Sequence, residues 1–308
     1  MNDKQIGKLI QKESERQRNI INLIASENYV SEDVLTALGS DLVNKYAEGY
    51  PNKRYYGGNG VIDDIENLCK ERALKTFGLN NKTWSVNVQA LSGSPANLAV
   101  YNALLNPGDK IMGMSLSDGG HLSHGHKVSV TGKLYKQVSY GVGEDEKIDY
   151  DKLIKLAKKE KPQIIIAGFT AYPRKINWKK FREIADSCDA ILLADISHTA
   201  GLIAGGAFPS PFKYADIVTT TTHKTLRGPR AALIFSKTEL SNLIDKSIFP
   251  GLQGGPHMNA IAAIAVALKE AQSSSFKTYT KKVVENARSL AKELKNLGRR
   301  IESGGTDS

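Results

Sequence analysis

Lys224 closes the run Thr219-Thr220-Thr221-Thr222-His223-Lys224, a hydroxyl-rich turn after an apolar strand-length segment. A lysine that is partly desolvated there, with Arg227 and Arg230 nearby, has its pKa pushed down and its amine made nucleophilic, which is what Schiff-base chemistry requires. Taken alone, one residue among 42 Lys and Arg is better explained as a surface charge. Asp195 ends the apolar run Ala190-Ile191-Leu192-Leu193-Ala194. A carboxylate in that position is costly if buried and unpaired, so it needs a cationic or hydrogen-bonding partner, such as a protonated ring nitrogen. An N-cap for the segment after Ser197 is an equal structural alternative. Ser92-Gly93-Ser94 precedes a helix with Pro95 in its first turn, where backbone N–H groups converge as they would on a phosphate. An ordinary serine N-cap explains the same residues. Pro250-Gly251-Leu252-Gln253-Gly254-Gly255-Pro256 is either a second anion-facing turn or a plain one. His121, His124 and His126 lack a matching acidic or thiol set, so a ring-stacking or hydrogen-bonding imidazole is the better reading, and no metal site is expected.

The elements that must position these groups follow from periodicity. Helices are predicted over 3–19, 32–38 (capped by Ser31), 61–77, 94–105, 150–160, 177–188, 256–272 and 276–296. Strands are predicted over 84–89, 110–114, 163–169, 190–196, 216–221 and 231–236. Their alternation predicts an α/β fold with a mostly parallel sheet flanked by helices. Ile164-Ile165-Ile166-Ala167 is a continuous apolar run, as expected of a strand buried on both faces. In such sheets ligands sit at the carboxyl ends of strands, where Asp195, Lys224 and Ser92 to Ser94 all fall. The segment from Tyr46 to Gly60 holds four tyrosines, four glycines and a proline, with little periodicity. Its tyrosines are expected to make specific contacts.

Composition narrows the class. A chain of 308 residues with 41% hydrophobic content can bury a large core. The longest apolar run, Ile261 to Leu268, is too short to span a membrane. The net charge of +10 is spread over amphipathic helices without a recognition motif, which argues against nucleic acid. The segment Met1-Asn2-Asp3-Lys4 shows no targeting signal, so a cytoplasmic location is expected. Cys69 and Cys188 read as buried, inert helix residues.

A phosphate cup, a strand-end aspartate and a later lysine, in that order on an α/β sheet, are together the parts of a pyridoxal-phosphate enzyme. In detail the chain resembles the serine hydroxymethyltransferase family. The resemblance lies in Leu23-Ile24-Ala25-Ser26-Glu27-Asn28, Lys45-Tyr46-Ala47-Glu48-Gly49-Tyr50-Pro51, Arg54-Tyr55-Tyr56-Gly57-Gly58, Gly119-Gly120-His121-Leu122 and Thr221-Thr222-His223-Lys224-Thr225-Leu226-Arg227-Gly228-Pro229-Arg230. It implies the fold-type I architecture of pyridoxal-phosphate transferases. The implied reaction is reversible transfer of the serine hydroxymethyl carbon to tetrahydrofolate, giving glycine and 5,10-methylenetetrahydrofolate.

Residue by residue, the resemblance implies that Lys224 carries the cofactor as an aldimine and that Asp195 keeps its pyridine nitrogen protonated. His121 would stack on the ring, with His198 and Thr170 near its phenolic oxygen. Gly93, Ser94 and His223 would hold the phosphate, Thr221 would belong to the same cofactor shell, and Tyr46, Gly254 and Gly255 would join from a neighbouring subunit. Ser26 and Tyr56 would lie near the amino acid. Glu48 would handle protons where serine meets the folate, and Leu116, Gly119, Gly120 and Leu122 would lie near the pterin. The implied partners are serine, glycine and folate, within a homodimer that shares its active sites.

Asp118, Thr170 and Gly125-His126-Lys127-Val128 depart from the usual family pattern without removing a core residue. Family chains also continue past Gly304-Gly305-Thr306-Asp307 into a small C-terminal domain that supplies an arginine for the substrate carboxylate and an asparagine for the pterin. A C-terminally truncated chain is therefore expected, with that domain largely missing and serine binding weakened. Three units follow: a contact segment over 1–60, a cofactor-binding domain over 61–272 and the start of the small domain over 273–308. Two alternatives stay open, an inactive cofactor-binding or dimerisation chain and another glycine-handling enzyme such as threonine aldolase.

Overall fold

The structure, a computed structural model, describes residues 2–308. Helix α1 (Lys4–Arg18) is capped by the Asp3 carboxylate, which accepts from the amides of Gln5 and Ile6. Helix α2 (Glu32–Leu38) starts at Ser31, whose hydroxyl accepts from the Val34 amide. A short hairpin, β1 (Gly49–Tyr50) and β2 (Lys53–Arg54), follows within the tyrosine-rich segment. Alternation then begins with α3 (Gly60–Thr76), β3 (Trp84–Asn87), α4 (Gly93–Leu104) and β4 (Lys110–Met114). It continues through α5 (Val130–Leu134), β5 (Lys136–Tyr140), α6 (Tyr150–Glu160), β6 (Ile164–Gly168), α7 (Trp178–Asp186) and β7 (Ile191–Asp195). The remaining elements are α8 (Ala200–Ala204), β8 (Ile217–Thr221), β9 (Ala232–Lys237), α9 (Ser241–Lys246), α10 (Met258–Ala271) and α11 (Ser274–Asn296).

The seven longer strands form one sheet in the order β3-β9-β8-β7-β6-β4-β5. Pairing is parallel from β8 through β5, and β9 runs antiparallel to both β8 and β3. The pleat divides the apolar strands between two cores. Ile165, Ala167, Leu192 and Val218 face one layer with α3, α6, α7 and much of α10, while Ile164, Ile166, Leu193 and Ile217 face the other with α4 and α9. Burial on both sides explains why β6 reads as an unbroken apolar run.

All the elements expected from periodicity are present, with ends within two residues. The structure adds β5, α5, α8, α9 and the small hairpin. β5 is an edge strand in which only Tyr140 is buried, and its extended form depends on parallel pairing with β4, a long-range contact that local sequence does not encode. Cys188 corrects an expectation: α7 ends at Asp186, so this thiol lies in the following turn and is only half-buried, whereas Cys69 is buried in α3. No helix among the described residues is long and apolar enough to cross a membrane.

The last residues return to the sheet. Arg174, in the loop after β6, donates from Nε to Ser303 Oγ at 2.9 Å and pairs with Asp307 at 3.3 Å, while the Lys175 amide donates to Asp307 at 3.0 Å.

Candidate active site

Because β4, β6, β7 and β8 are parallel, their carboxyl ends open on one edge of the sheet. A cavity of about 280 Å³ lies there, lined by Ser26, Ser92 to Ser94, Asn97, His121, Thr170, Asp195, Ser197, His198, Thr221, His223, Lys224 and Arg230, among others. Groups separated by about 200 residues in sequence, Ser26 and Arg230 among them, thus meet at one place, near the lower end of the usual size range for small-molecule sites.

Asp195 is the last residue of β7, and its side chain is 10% exposed. His124 Nε2 lies 3.0 Å from its Oδ2, and Asn97 Nδ2 donates to the same oxygen at 2.9 Å. The Ser197 amide donates to Oδ1 at 3.1 Å. Burial pushes this carboxyl upward, but the hydrogen bonds from His124, Ser197 and Asn97 outweigh it and hold the group ionised, well below the usual range. A carboxylate offers about four acceptor positions, so these three bonds leave one on Oδ1. The two readings of Asp195 are therefore compatible: it closes a local turn to Ser197 and retains an acceptor for a protonated ring nitrogen.

Lys224 is 8% exposed, and among the described residues its amine has neither an ion-pair nor a hydrogen-bond partner. Burial lowers its pKa, Asp195 opposes that shift and Arg230 adds to it. A buried lysine without a partner is costly as structure, and the cost is understandable if its amine bonds covalently to a carbonyl carbon. In the same cavity, Ser92 makes no side-chain cap bond to α4, so the first-turn amides of this 12-residue helix keep their donors for an anion. A Cβ on Gly93 would come within 2.7 Å of Thr221 Cγ2, so only glycine allows the helix end to approach β8 this closely. His223 Nδ1 is buried and has no partner among the described residues. Burial and the nearby cations hold both His198 and His223 neutral, at about 4. A free carboxylate acceptor, a helix N-terminus with uncapped amides and an unpaired amine, all lining one cavity, fit pyridoxal phosphate.

Asn97 is not among the residues expected from sequence; an asparagine one turn after Gly93, within the otherwise apolar Ala96-Asn97-Leu98-Ala99-Val100, is the signal, and the structure buries it. His124 carries no sequence signal that separates it from His121 and His126. His126 remains apart, partly exposed just beyond the 3₁₀ turn Leu122–His124.

Nine expected site residues do not line this cavity, and five of them lie together elsewhere. Tyr46, Glu48, Tyr56, Gly254 and Gly255 form a second cluster on the same chain. The Tyr46 hydroxyl lies 3.3 Å from Glu48 Oε1, and the Tyr46 and Tyr56 rings meet edge to face at 5.6 Å. Gly255 lies against the Tyr46 ring, where a Cβ would be 3.3 Å away. Arg54 holds the segment in place. Its guanidinium reaches Asp63, the buried Glu66 and the carbonyls of Ala47 and Gly49, each at 2.7 to 2.8 Å. Gln89 Nε2 also donates to Gly49 O and Glu66, and Lys70 pairs with Glu66 at 2.8 Å.

Leu116, Gly119, Gly120 and Leu122 lie after β4 and likewise do not line the cavity. The glycines have a structural reason of their own: Gly119 has φ +103°, and a Cβ on Gly120 would meet Met114 O at 2.0 Å. The amides of Thr170 and Ala171 both donate to Gly119 O, which ties this turn to the loop after β6. Leu116 and Leu122 are 45% and 42% exposed.

A sequence profile described as serine hydroxymethyltransferase matches residues 1–308. A protein of that name from Desulfotalea psychrophila is 57% identical over 306 residues, covering 99% of this chain and 71% of its own length. One from Francisella tularensis subsp. novicida, also named serine hydroxymethyltransferase, is 54% identical over 308 residues, covering 99% of this chain and 73% of its own length.

Proposed function

The chain belongs to the serine hydroxymethyltransferase family, and from that premise we propose which of its residues carry the family's reaction. It is a pyridoxal-phosphate-dependent transferase that interconverts serine and glycine with tetrahydrofolate as co-substrate. Threonine aldolase and other glycine-handling relatives are set aside by the match over the whole of residues 1–308. When bound, the cofactor accepts the electron pair left on the serine α-carbon as its bond to the hydroxymethyl carbon breaks.

Lys224 anchors the cofactor through its amine, and burial keeps a larger share of that amine unprotonated and nucleophilic. Asp195 holds the proton on the ring nitrogen through the remaining acceptor position of Oδ1. Gly93, Ser94, Thr221 and His223 bind the phosphate, with the first turn of α4 supplying N–H donors. His121 covers the ring, and His198 and Thr170 bind its phenolic oxygen. Ser26 and Tyr56 orient the amino acid, Glu48 moves the proton at the serine hydroxyl, and Leu116, Gly119, Gly120 and Leu122 form the folate side. The single observation with most weight is the buried, unpartnered Lys224 amine beside the ionised Asp195. Borohydride reduction of the cofactor-loaded protein, followed by peptide mass spectrometry, is expected to place the label on Lys224. Label on another lysine would overturn the assignment.

Tyr46, Glu48, Tyr56, Gly254 and Gly255 serve the cavity of a second copy, in a homodimer with shared active sites. Support comes from their gathering outside the cavity of their own chain, and from the apolar Ile6, Leu9 and Ile10 on α1 and the neighbouring Ile21, all left exposed. Mixing Lys224→Ala chains with Glu48→Gln chains should restore activity that neither has alone. Dimers that form by sedimentation but restore nothing would refute shared sites. Residues 1–60, 61–272 and 273–308 are the corresponding contact, cofactor and small-domain units. The strands β3 to β9 all fall in the second, and limited proteolysis should cut near its borders. A cytoplasmic location is supported by two free cysteines and no disulfide among the described residues, and cell fractionation tests it.

A further inference from the structure

Asn97 is 1% exposed, and its amide has every hydrogen-bonding group engaged on the cavity side of α4. Thr219 Oγ1 donates to its Oδ1 at 2.7 Å. Its Nδ2 donates to Asp195 Oδ2 and to Ser123 Oγ, both at 2.9 Å. The orientation of this amide is forced, because an ionised carboxylate can only accept and the NH₂ group must face it. Ser123 Oγ takes the second amide hydrogen, and it lies 2.7 Å from His121 Nδ1. The Ser123 amide approaches the same ring nitrogen at 3.2 Å, and a backbone N–H can only donate. Nδ1 therefore carries the lone pair, and the Ser123 hydroxyl has it as the natural acceptor for its own hydrogen. Tyr101 Oη donates to the Ser123 carbonyl at 3.1 Å and holds the serine backbone in register.

We propose that Asn97 and Ser123 are positioning residues that transmit the ionised state of Asp195 to His121 and fix its ring as the neutral tautomer protonated on Nε2. Among the described residues Nε2 has no partner, so this single donor is available at the cavity. The charged and titratable groups that act on the ring are His124, Asp195 and Lys224. Burial and the neighbours His124 and Lys224 disfavour a charge on it, and only Asp195 opposes them. A neutral ring can pack against a protonated heterocycle without the repulsion of an imidazolium, and its Nε2–H can donate to an oxygen of the amino-acid substrate. The functional consequence rests on the assignment of His121 to the cofactor face; the tautomer itself does not.

The test uses the cofactor-free full chain labelled with ¹⁵N-histidine, whose six histidines give a resolvable long-range proton–nitrogen spectrum, with His121→Gln for assignment. His121 is expected to show a pyrrole-type Nε2 and an unprotonated Nδ1 shifted upfield by its hydrogen bonds. Ser123→Ala and Asn97→Ala should each move Nδ1 downfield, and Ser123→Thr should leave it at the wild-type position. A proton on Nδ1 in the wild type overturns the proposal, as does an Nδ1 resonance unmoved in either alanine variant. If Asn97→Ala does not fold, the wild-type tautomer and the two Ser123 variants decide. Failure of the Lys224 labelling would remove the cofactor assignment and leave this result standing.

Discussion

The imidazole of His124 is wholly buried, and its Nε2 lies 3.0 Å from Asp195 Oδ2. Because the carboxylate only accepts, Nε2 carries the proton, while Nδ1 has no partner among the described residues. Burying an imidazole with one unsatisfied nitrogen costs stability, and what it provides in return is a donor that keeps Asp195 ionised. His124→Phe removes that donor. The expected result is a rise of about 10- to 100-fold in the dissociation constant for pyridoxal phosphate, the size set by losing one hydrogen bond to a charged group, about 1.5 to 3 kcal/mol. Equilibrium absorbance titration measures it, and an unchanged constant would mean that Asn97 and Ser197 suffice.

Gly168 pairs with Asp195 across β6 and β7. A Cβ there would lie 2.4 Å from Asp195 O and 2.8 Å from its Cβ, so Gly168→Ala must displace the aspartate. Overpacking of this kind costs about 1 to 3 kcal/mol, and cofactor affinity should fall with it. Gly60→Ala is the control, because nothing lies within 4 Å of the added methyl. Urea denaturation should show a loss in the first variant and little or none in the second.

Arg54 and Glu66 are both buried and meet at 2.7 Å. Removing Arg54 takes the cation from Asp63 and leaves the buried Glu66 with only Lys70 and the Gln89 amide, so the cost lies at the lower end of the about 3 to 5 kcal/mol of a broken buried pair. Arg54→Met should therefore lower stability by that order and loosen the segment from Ala47 to Gly49, whose carbonyls it binds. Arg54→Lys should rescue little, because one ammonium cannot reproduce a guanidinium fork that spans two carboxylates and two carbonyls. Hydrogen exchange of residues 46–56 reads the loosening, and unchanged protection would assign the segment's order to other contacts.

His198 and His223 titrate near 4 in the folded chain, against 6.5 for an unperturbed histidine, with burial as the leading cause in each. Between these values the unfolded chain binds more protons than the folded one, so stability rises with pH. Their contribution is complete above about pH 6.5 and is lost as pH falls towards 4, with a slope approaching about two protons taken up on unfolding. Chemical denaturation of the cofactor-free protein across this window should show that slope. A His198→Gln, His223→Gln double variant should show a shallower one, and an equal slope would place the titration elsewhere.

The amino-acid order determined the alternation of helix and strand, the mostly parallel sheet and the strand-end positions of Asp195 and Lys224, because these depend on periodicity and on where apolar runs stop. It also determined the family, through short motifs whose residue types leave few alternatives. Only the tertiary structure decided which groups meet. The edge strand β5 exists through its pairing with β4, and Asn97 and His124 reach Asp195 from separate elements after long crossovers. Tyr46 and Glu48 pack onto Gly254 and Gly255, outside the cavity of their own chain. Local sequence carries the period of an element and the chemistry of its ends. Packing across the sheet, and the requirement that each buried donor find an acceptor, decide the rest.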